Sequence, residues 1–339
     1  MKNLPQISRL LLSICILVLI SSCSNNKLDV NTKGIDLKID IQRFDRELFE
    51  MNTDTIPEAI GYFYKKYNDF LEIFSYHVIG IGLPSERTYP GYLTMFLKDG
   101  LNREVYNETQ KVFSDLEPEE NLLTRAFKRY KYHFGEKEIP MVVTFVSRFN
   151  NSCFTVSNYL SLGLDMYLGS ASSYYKNLDL PQYRKMNMYR EKIPSDLMYA
   201  WASAIFPQND SVNNVLSHII HQGKLMYFVE AMLPDETDEL RMGFTRDQMR
   251  WLKNNEEMIW IYLVENKLLF SEDQLNIRKL TGPAPFTYFF TNESPGRAGV
   301  WTGLQIVREF ARRNPELSVK QIMEENDYQK ILRLSKYNP

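Results

Sequence analysis

Residues 210–233 read DSVNNVLSHIIHQGKLMYFVEAML, with Pro234 directly after them. The segment carries the marks of a helix. Asp210 or Ser211 can accept hydrogen bonds from the free N–H groups of a first turn, and Pro234 cannot extend a last one. On a wheel turning about 100° per residue, Val212, Val215, Leu216, Gly223 and Met226 fall within about 60° of Ile219. They form an apolar stripe that packs one face on a core. His218 and His221 share one flank of the same wheel.

Outward from this helix, the C-terminal half keeps a helical period: over 182–206 with a break at Pro194, over 245–270, over 299–313 and over 318–334. The N-terminal half mixes periods. Residues 35–41 (IDLKIDI) alternate strictly, as a half-buried strand does. From 56 to 79, Tyr62, Phe63, Tyr67, Phe70, Leu71 and Phe74 recur at helical spacing, and 103–113 and 119–132 read as two shorter helices. The run IPMVVTFVSRF at 139–149 is rich in β-branched and aromatic residues and reads as the strongest strand. Residues 154–168 hold one or two more strands, with Asn and Gly at the turns. No spacing repeats, and no Pro/Gly/Ser linker divides the chain. The expected fold class is α+β, a predominantly helical single domain with a small β-sheet over residues 35–339.

Composition narrows the function. Of 339 residues 24% are charged and 44% hydrophobic, the balance of an ordinary globular protein. With 15 Gly, 15 Pro and 3 Cys, collagen-like, low-complexity and disulfide-scaffold chains are excluded. The 40 Lys+Arg against 42 Asp+Glu give a net charge of −2, without the basic excess of a nucleic-acid binder. The 21 Tyr and 20 Phe call for an aromatic-rich core or for interaction surfaces.

The long apolar run lies at the N-terminus. Residues 1–22 read MKNLPQISRLLLSICILVLISS. Lys2 and Arg9 precede an apolar stretch from Leu10 to Ile20, short for a spanning helix and fitting a secretory signal. Ile20-Ser21-Ser22-Cys23 resembles the lipobox of bacterial lipoproteins, in which the Cys thiol is diacylated, the bond before it is cut and the new amine is acylated. That resemblance makes 1–22 a lipoprotein signal peptide, Cys23 the lipidation site and 23–34 a polar lipidated tether. Ser24, where Asp would resemble inner-membrane retention, points to the outer membrane of the cell envelope. Cys153 is then the one remaining thiol. It allows neither an intramolecular disulfide nor a four-thiolate zinc site, and its default reading is a buried, inert group.

The chain has 4 His: His77, His133, His218 and His221. A zincin helix needs His-Glu-x-x-His, two zinc ligands one turn apart and a Glu that activates water. Laid on His218, that motif puts Ile219 at the base and Gln222 at the second ligand. Laid on His221, it puts Gln222 at the base and Leu225 at the ligand. Ile cannot take a proton and Gln is a poor zinc ligand. No catalytic residue, metal or cofactor is therefore expected; were zinc held, His218, His221 and Gln222 would be its candidate ligands, with Glu230, Asp235 and Glu236 downstream. Glycines 296, 299 and 303 match neither a GxGxxG loop nor a P-loop. A loop ending at a helix N-terminus can bind anions, but these glycines read first as allowing close helix packing. No Gly-x-Ser-x-Gly elbow supplies a serine nucleophile.

Several segments together resemble a known family: Gly223-Lys224-Leu225-Met226-Tyr227 with Leu233-Pro234, Leu162 to Gly169 (LGLDMYLG), Pro295 to Val307 (PGRAGVWTGLQIV), Arg313-Asn314-Pro315 and the ending Ile331 to Pro339 (ILRLSKYNP). In order and in their C-terminal ending they resemble the gliding-motility lipoproteins of the Bacteroidota, the GldB family. The resemblance implies a cell-envelope component required for gliding over surfaces. It also implies partners in the gliding and type IX secretion machinery and contact with the membrane through the lipid anchor. The same motifs resemble predicted zinc peptidases, which implies a zincin-like scaffold. With Ile219 and Gln222 in the ligand helix, its metal site would be degenerate and its surface would bind partners without catalysis. The alternative is a zinc-dependent, metallopeptidase-like hydrolase with an unusual ligand set. The zincin resemblance further places the loop 282–299 and the His218/His221 flank around one partner-binding cleft. Lastly, Asp54-Thr55-Ile56 and Asp210-Ser211-Val212 resemble the short O-glycosylation sites of Bacteroidota periplasmic proteins. Thr55 is preferred, because Ser211 is also a possible N-cap.

Overall fold

The structure is a computed structural model that describes residues 28–135, 137–209 and 211–339. The expected signal peptide, Cys23 and the capping residue Asp210 lie outside the described residues.

The N-terminal segment alternates as its sequence predicts, with Ile39 and Ile41 buried and Asp36, Lys38 and Asp40 exposed. It is not a strand. Its N–H groups find side chains instead: Ile39 N–H donates to Thr124 Oγ1 (3.0 Å) and Ile41 N–H to Glu120 Oε1 (2.9 Å). Gln42, directly after this stretch, pairs with the sheet through a parallel bridge to Val143.

Helices α1 (Phe44–Glu50), α2 (Ile56–Ile73), α3 (Tyr89–Lys98) and α4 (Gly100–Val112) follow, and α2 runs into a π-turn at Phe74–Val78. Phe44 is the hub of this half. The rings of Phe63, Tyr67, Phe70 and Phe74 meet it edge-on with centroids 5.0–5.7 Å away, the arrangement the ring quadrupoles favour. Tyr62, part of the helical pattern, points outward.

Helix α5 (Glu117–Phe134) leads to a three-stranded sheet of β1 (Met141–Phe145), β2 (Cys153–Val156) and β3 (Tyr159–Gly163) in the order β1-β3-β2. Strand β3 runs parallel to β1 and antiparallel to β2. The expected strand over 139–149 is shorter than its sequence pattern, because Arg148 and Phe149 adopt positive φ (63° and 67°) and turn the chain away. The sheet joins two cores by its period of two. Val142, Leu160 and Leu162 face the C-terminal helices, whereas Val143 and Phe145 face the Phe44 cluster.

The second half is helical: α6 (Ile193–Ile205), α7 (Val215–Met232), α8 (Asp238–Met242), α9 (Arg246–Asn254), α10 (Glu256–Glu265), α11 (Gln274–Thr281), α12 (Ala298–Arg313), α13 (Val319–Glu324) and α14 (Tyr328–Ser335). The helix over 182–206 is broken near Pro194 as its sequence predicts, and two further expected helices are divided. Pro194 sits in the first turn of α6, the position where its missing N–H costs nothing. Asn255 separates α9 from α10, and Glu325 to Asp327 separate α13 from α14. Among the described residues no helix is long and apolar enough to cross a membrane.

Helix α7 corrects its sequence reading in two ways. It starts at Val215, capped by Asn214 rather than by Asp210 or Ser211. Asn214 Oδ1 accepts from Ser217 N–H (2.9 Å), and Ser217 Oγ accepts from Asn214 N–H (3.1 Å). A reciprocal pair of this kind satisfies two donors at once, more than a lone Ser or Asp further out can do. Val212, expected in the apolar stripe, precedes the helix and is 39% exposed. Burial also extends around all of α7, with His218, Gln222 and Glu230 its partly exposed residues. The cause is its central place, in contact with α5, α6, α11, α12 and α13.

The glycine reading holds. A Cβ at Gly223 would stand 2.2 Å from the carbonyl carbon of Gly303, and one at Gly303 would stand 1.7 Å from Ile219 O. Helices α7 and α12 thus cross backbone to backbone at these two positions, with Gly299 seated against Ile219 Cγ2 one turn earlier.

Candidate functional site

A cavity of about 430 Å³ opens between the loop after β1, the segment before α6, the end of α8 and the Pro/Gly loop 282–297. Met166, Met186, Met188, Met226 and Met242 supply much of its wall. Thioether side chains are unbranched and adapt to irregular ligands.

Its polar wall is an ordered chain. Cys153 Sγ lies 3.3 Å from Tyr167 OH, which donates to Asp196 Oδ2 (2.9 Å). Asp196 Oδ1 pairs with Lys192 Nζ (2.8 Å), and Lys192 also donates to Arg241 O (3.0 Å). Arg241 pairs in turn with Asp238 (2.6 Å), which Arg308 holds from its other side (2.5 and 2.8 Å) while reaching Glu230 (2.9 Å). Burial pushes the Cys153 thiol far above its ordinary range, and the Asp196 charge adds to this. The thiol is half-buried rather than buried as expected, and its raised pKa favours the protonated form.

Arg297 completes the wall. It stands at φ 62°, a conformation uncommon for residues with a Cβ, just before the first turn of α12. Its guanidinium donates to Met242 O and lies over the Phe244 ring at 5.6 Å. Desolvation pulls its pKa below the ordinary guanidinium value, against the nearby Tyr199 and Asp196. Among the described residues it forms no ion pair within 4.0 Å.

The loop over the cavity is stitched by its own side chains. Thr287 Oγ1 donates to Pro295 O (2.7 Å) and accepts from Ala298 N–H (3.0 Å). Gly296 is pressed so close to Ala284 that a Cβ there would stand 2.2 Å from Ala284 O. Tyr183 OH donates to Pro283 O (3.3 Å) from across the opening. One donor at the α12 N-terminus is thus met from within, and Gly299 and Gly303 serve packing.

The residues singled out from the sequence sit elsewhere. His218 Nε2 bonds Asn213 Oδ1 (2.7 Å) at the start of α7, His221 is buried, and Gln222 Oε1 accepts from Tyr199 OH. None of the three lines the cavity, so the expected cleft joining loop 282–299 to the His flank is corrected. The loop closes over Met226, one turn further along α7 than Gln222, and Gln222 supports the wall only through Tyr199. Because α7 is enclosed on every side, its flanks meet neighbouring elements rather than one open cleft. Among the described residues no group of three or more His, Cys, Asp or Glu side chains is placed to hold a metal ion. Thr55 is exposed at the start of α2, its hydroxyl donating to Asn52 O (2.9 Å), and Ser211 is exposed and caps nothing.

Sequence reasoning passed over Lys192, Asp196 and Tyr199. A Lys-x-x-x-Asp pair one helical turn apart is common on solvated faces, and nothing local shows that this one is enclosed. Arg297 stood within a quoted motif, but its backbone conformation and its lack of an ion pair are tertiary facts.

Burial, with the nearby charges of Lys224 and His218, lowers the His221 pKa from 6.5 to about 4. The fold therefore favours the neutral imidazole. Its contribution is complete above pH 6.5 and is lost as pH falls through about 4, a loss of roughly 3 kcal/mol. His221→Leu keeps the volume and removes the titration. The urea midpoint of this variant is expected to fall less between pH 7 and pH 4 than that of the parent; parallel profiles would refute the assignment.

No curated protein and no solved structure matches the chain. Residues 25–339, which include every element of the cavity, match the family described as gliding motility protein GldB. The chain belongs to the GldB family of gliding-motility proteins.

Proposed function

We propose that this GldB-family lipoprotein is held by Cys23 at the outer membrane and serves gliding by binding a partner in the Arg297 cavity, without catalysis of its own. The family ties the chain to gliding motility, and the resemblance noted above extends the role to the type IX secretion machinery. One observation carries the reading. Lys192 and Asp196 are joined to each other, the Tyr167, Tyr183 and Tyr199 hydroxyls are spent in turn on Asp196, Pro283 O and Gln222, and what faces an incoming ligand is a guanidinium among methionines. A guanidinium keeps its proton at any working pH, so it recognises and orients but does not shuttle protons.

The test is complementation of a deletion strain. Wild-type protein is expected to restore surface spreading, and His218→Ala combined with His221→Leu to restore it nearly as well. Arg297→Gln, folded and at normal abundance, is expected to abolish it. The purified parent is also expected to hold no stoichiometric zinc after dialysis. Spreading lost with the His pair, together with stoichiometric zinc that disappears in His218→Ala, would establish the alternative hydrolase.

A further inference from the structure

We infer that the cavity at Arg297 is a seat for one carboxylate carried on an apolar body. The inference deepens the reading above and rests on it for the source of that group, the C-terminal end of a partner's chain.

Charge accounting points to an anion. Four cationic side chains line the cavity: Arg184, Lys192, Arg241 and Arg297. Lys192 is neutralised by Asp196 at 2.8 Å and Arg241 by Asp238 at 2.6 Å. Arg184 is exposed at the rim. Arg297 is left, half-buried and without an ion pair among the described residues, its pKa lowered by lost hydration that the more distant Tyr199 and Asp196 offset only in part. Of its five N–H donors one is given to Met242 O. Arg297 lines the cavity with most of its donors unfilled, and donors held away from bulk water without acceptors are costly, so a ligand oxygen would satisfy them.

The rest of the lining selects what carries the anion. Five methionines, Phe149, Leu180 and Phe244 offer apolar, adaptable contact. The volume of about 430 Å³ lies within the range of small-ligand pockets, about 300–1,000 Å³. It accommodates the last residue or two of a peptide, or a short acyl chain. A carboxylate brings one charge, matching one guanidinium fork. A phosphate dianion would bring a second that only the hydrated rim residue Arg184 could meet. The strained backbone of Arg297 fits this role, since it is held by the Thr287 bond to the next residue and directs a long side chain toward the cavity rather than along α12.

The test is calorimetric titration of the full-length lipidated chain in lipid nanodiscs. The probes are N-acetyl-Leu-Phe with a free carboxylate, the same peptide amidated, and octanoate. The free acid is expected to bind, and the amide at least about tenfold more weakly, a comparison that needs no variant. Arg297→Gln with an unchanged melting temperature is expected to erase the difference. Equal binding of acid and amide overturns the inference. So does undiminished acid binding by folded Arg297→Gln, and so does the failure of all three probes to bind. Octanoate binding that depends on Arg297, with no binding of the peptide acid, upholds the carboxylate seat and rejects a partner's chain end as its source. Loss of spreading in Arg297→Gln without any carboxylate binding upholds partner docking and rejects the seat.

Discussion

Gly303→Val is expected to leave no folded protein. A Cβ at this position would stand 1.7 Å from Ile219 O and 2.4 Å from Ile219 C, both backbone atoms in the middle of α7. Neither can rotate away as a side-chain tip could, so the two helices would have to separate. Those helices form the most extensive contact between elements of the fold, and their parting would open the core around Ile219, Ile220, Val300 and Leu304. Overpacking alone costs about 1–3 kcal/mol when side chains can yield. With helix backbones in the way, the cost exceeds the roughly 4–5 kcal/mol that marks exceptional substitutions, against a total stability of about 5–15 kcal/mol. Gly223→Ala is expected to act in the same direction, its Cβ falling 2.2 Å from Gly303 C. Gly61→Ala is the control: it lies within α2, nothing stands within 4 Å of its Cβ, and the change is expected to stabilise by about 0.5–1 kcal/mol. Denaturant unfolding of the three variants checks the set. A wild-type midpoint for Gly303→Val would refute the backbone crossing.

Cys23→Ala is expected to lose its acyl anchor and with it its place in the outer membrane. Each buried methylene of an acyl chain contributes about 0.8 kcal/mol, so two or three chains bind stably where a single chain binds only marginally. No helix among the described residues offers a replacement span. The variant is expected to take up no labelled fatty acid, to keep residues 1–22 and to leave the outer-membrane fraction. Intact mass of the parent reads the rest of the proposal: acyl chains on Cys23, and added hexose mass at Thr55 removed by Thr55→Ala. Fatty-acid label retained by Cys23→Ala would sink the lipobox assignment, and a parent mass equal to the lipidated chain alone would remove the glycan.

What the sequence by itself determined is what neighbours along the chain decide. The period of 56–74 laid Phe63, Tyr67, Phe70 and Phe74 on one buried face, and the β-branched run 141–145 became the strand that joins both cores. Glycines 299 and 303 announced close packing, because a missing Cβ matters only where something approaches. The ordered motifs from Leu162 to Pro339 pointed to the family that residues 25–339 match. Only the tertiary structure decided the rest. Periodicity can mark an apolar face of α7, but not that neighbours would cover every face, and so it left His221 on a flank when it is buried. Alternation at 35–41 was right about burial and wrong about a strand, since Thr124 and Glu120, far along the chain, take its N–H groups. The cavity draws on residues from Phe149 to Arg297, and the half-buried charge there without an ion pair among the described residues is defined by which carboxylates the fold brings to Lys192 and Arg241. Local pattern records what each segment must bury; which polar groups are left facing one another depends on distances between segments, and those exist only once the chain has folded.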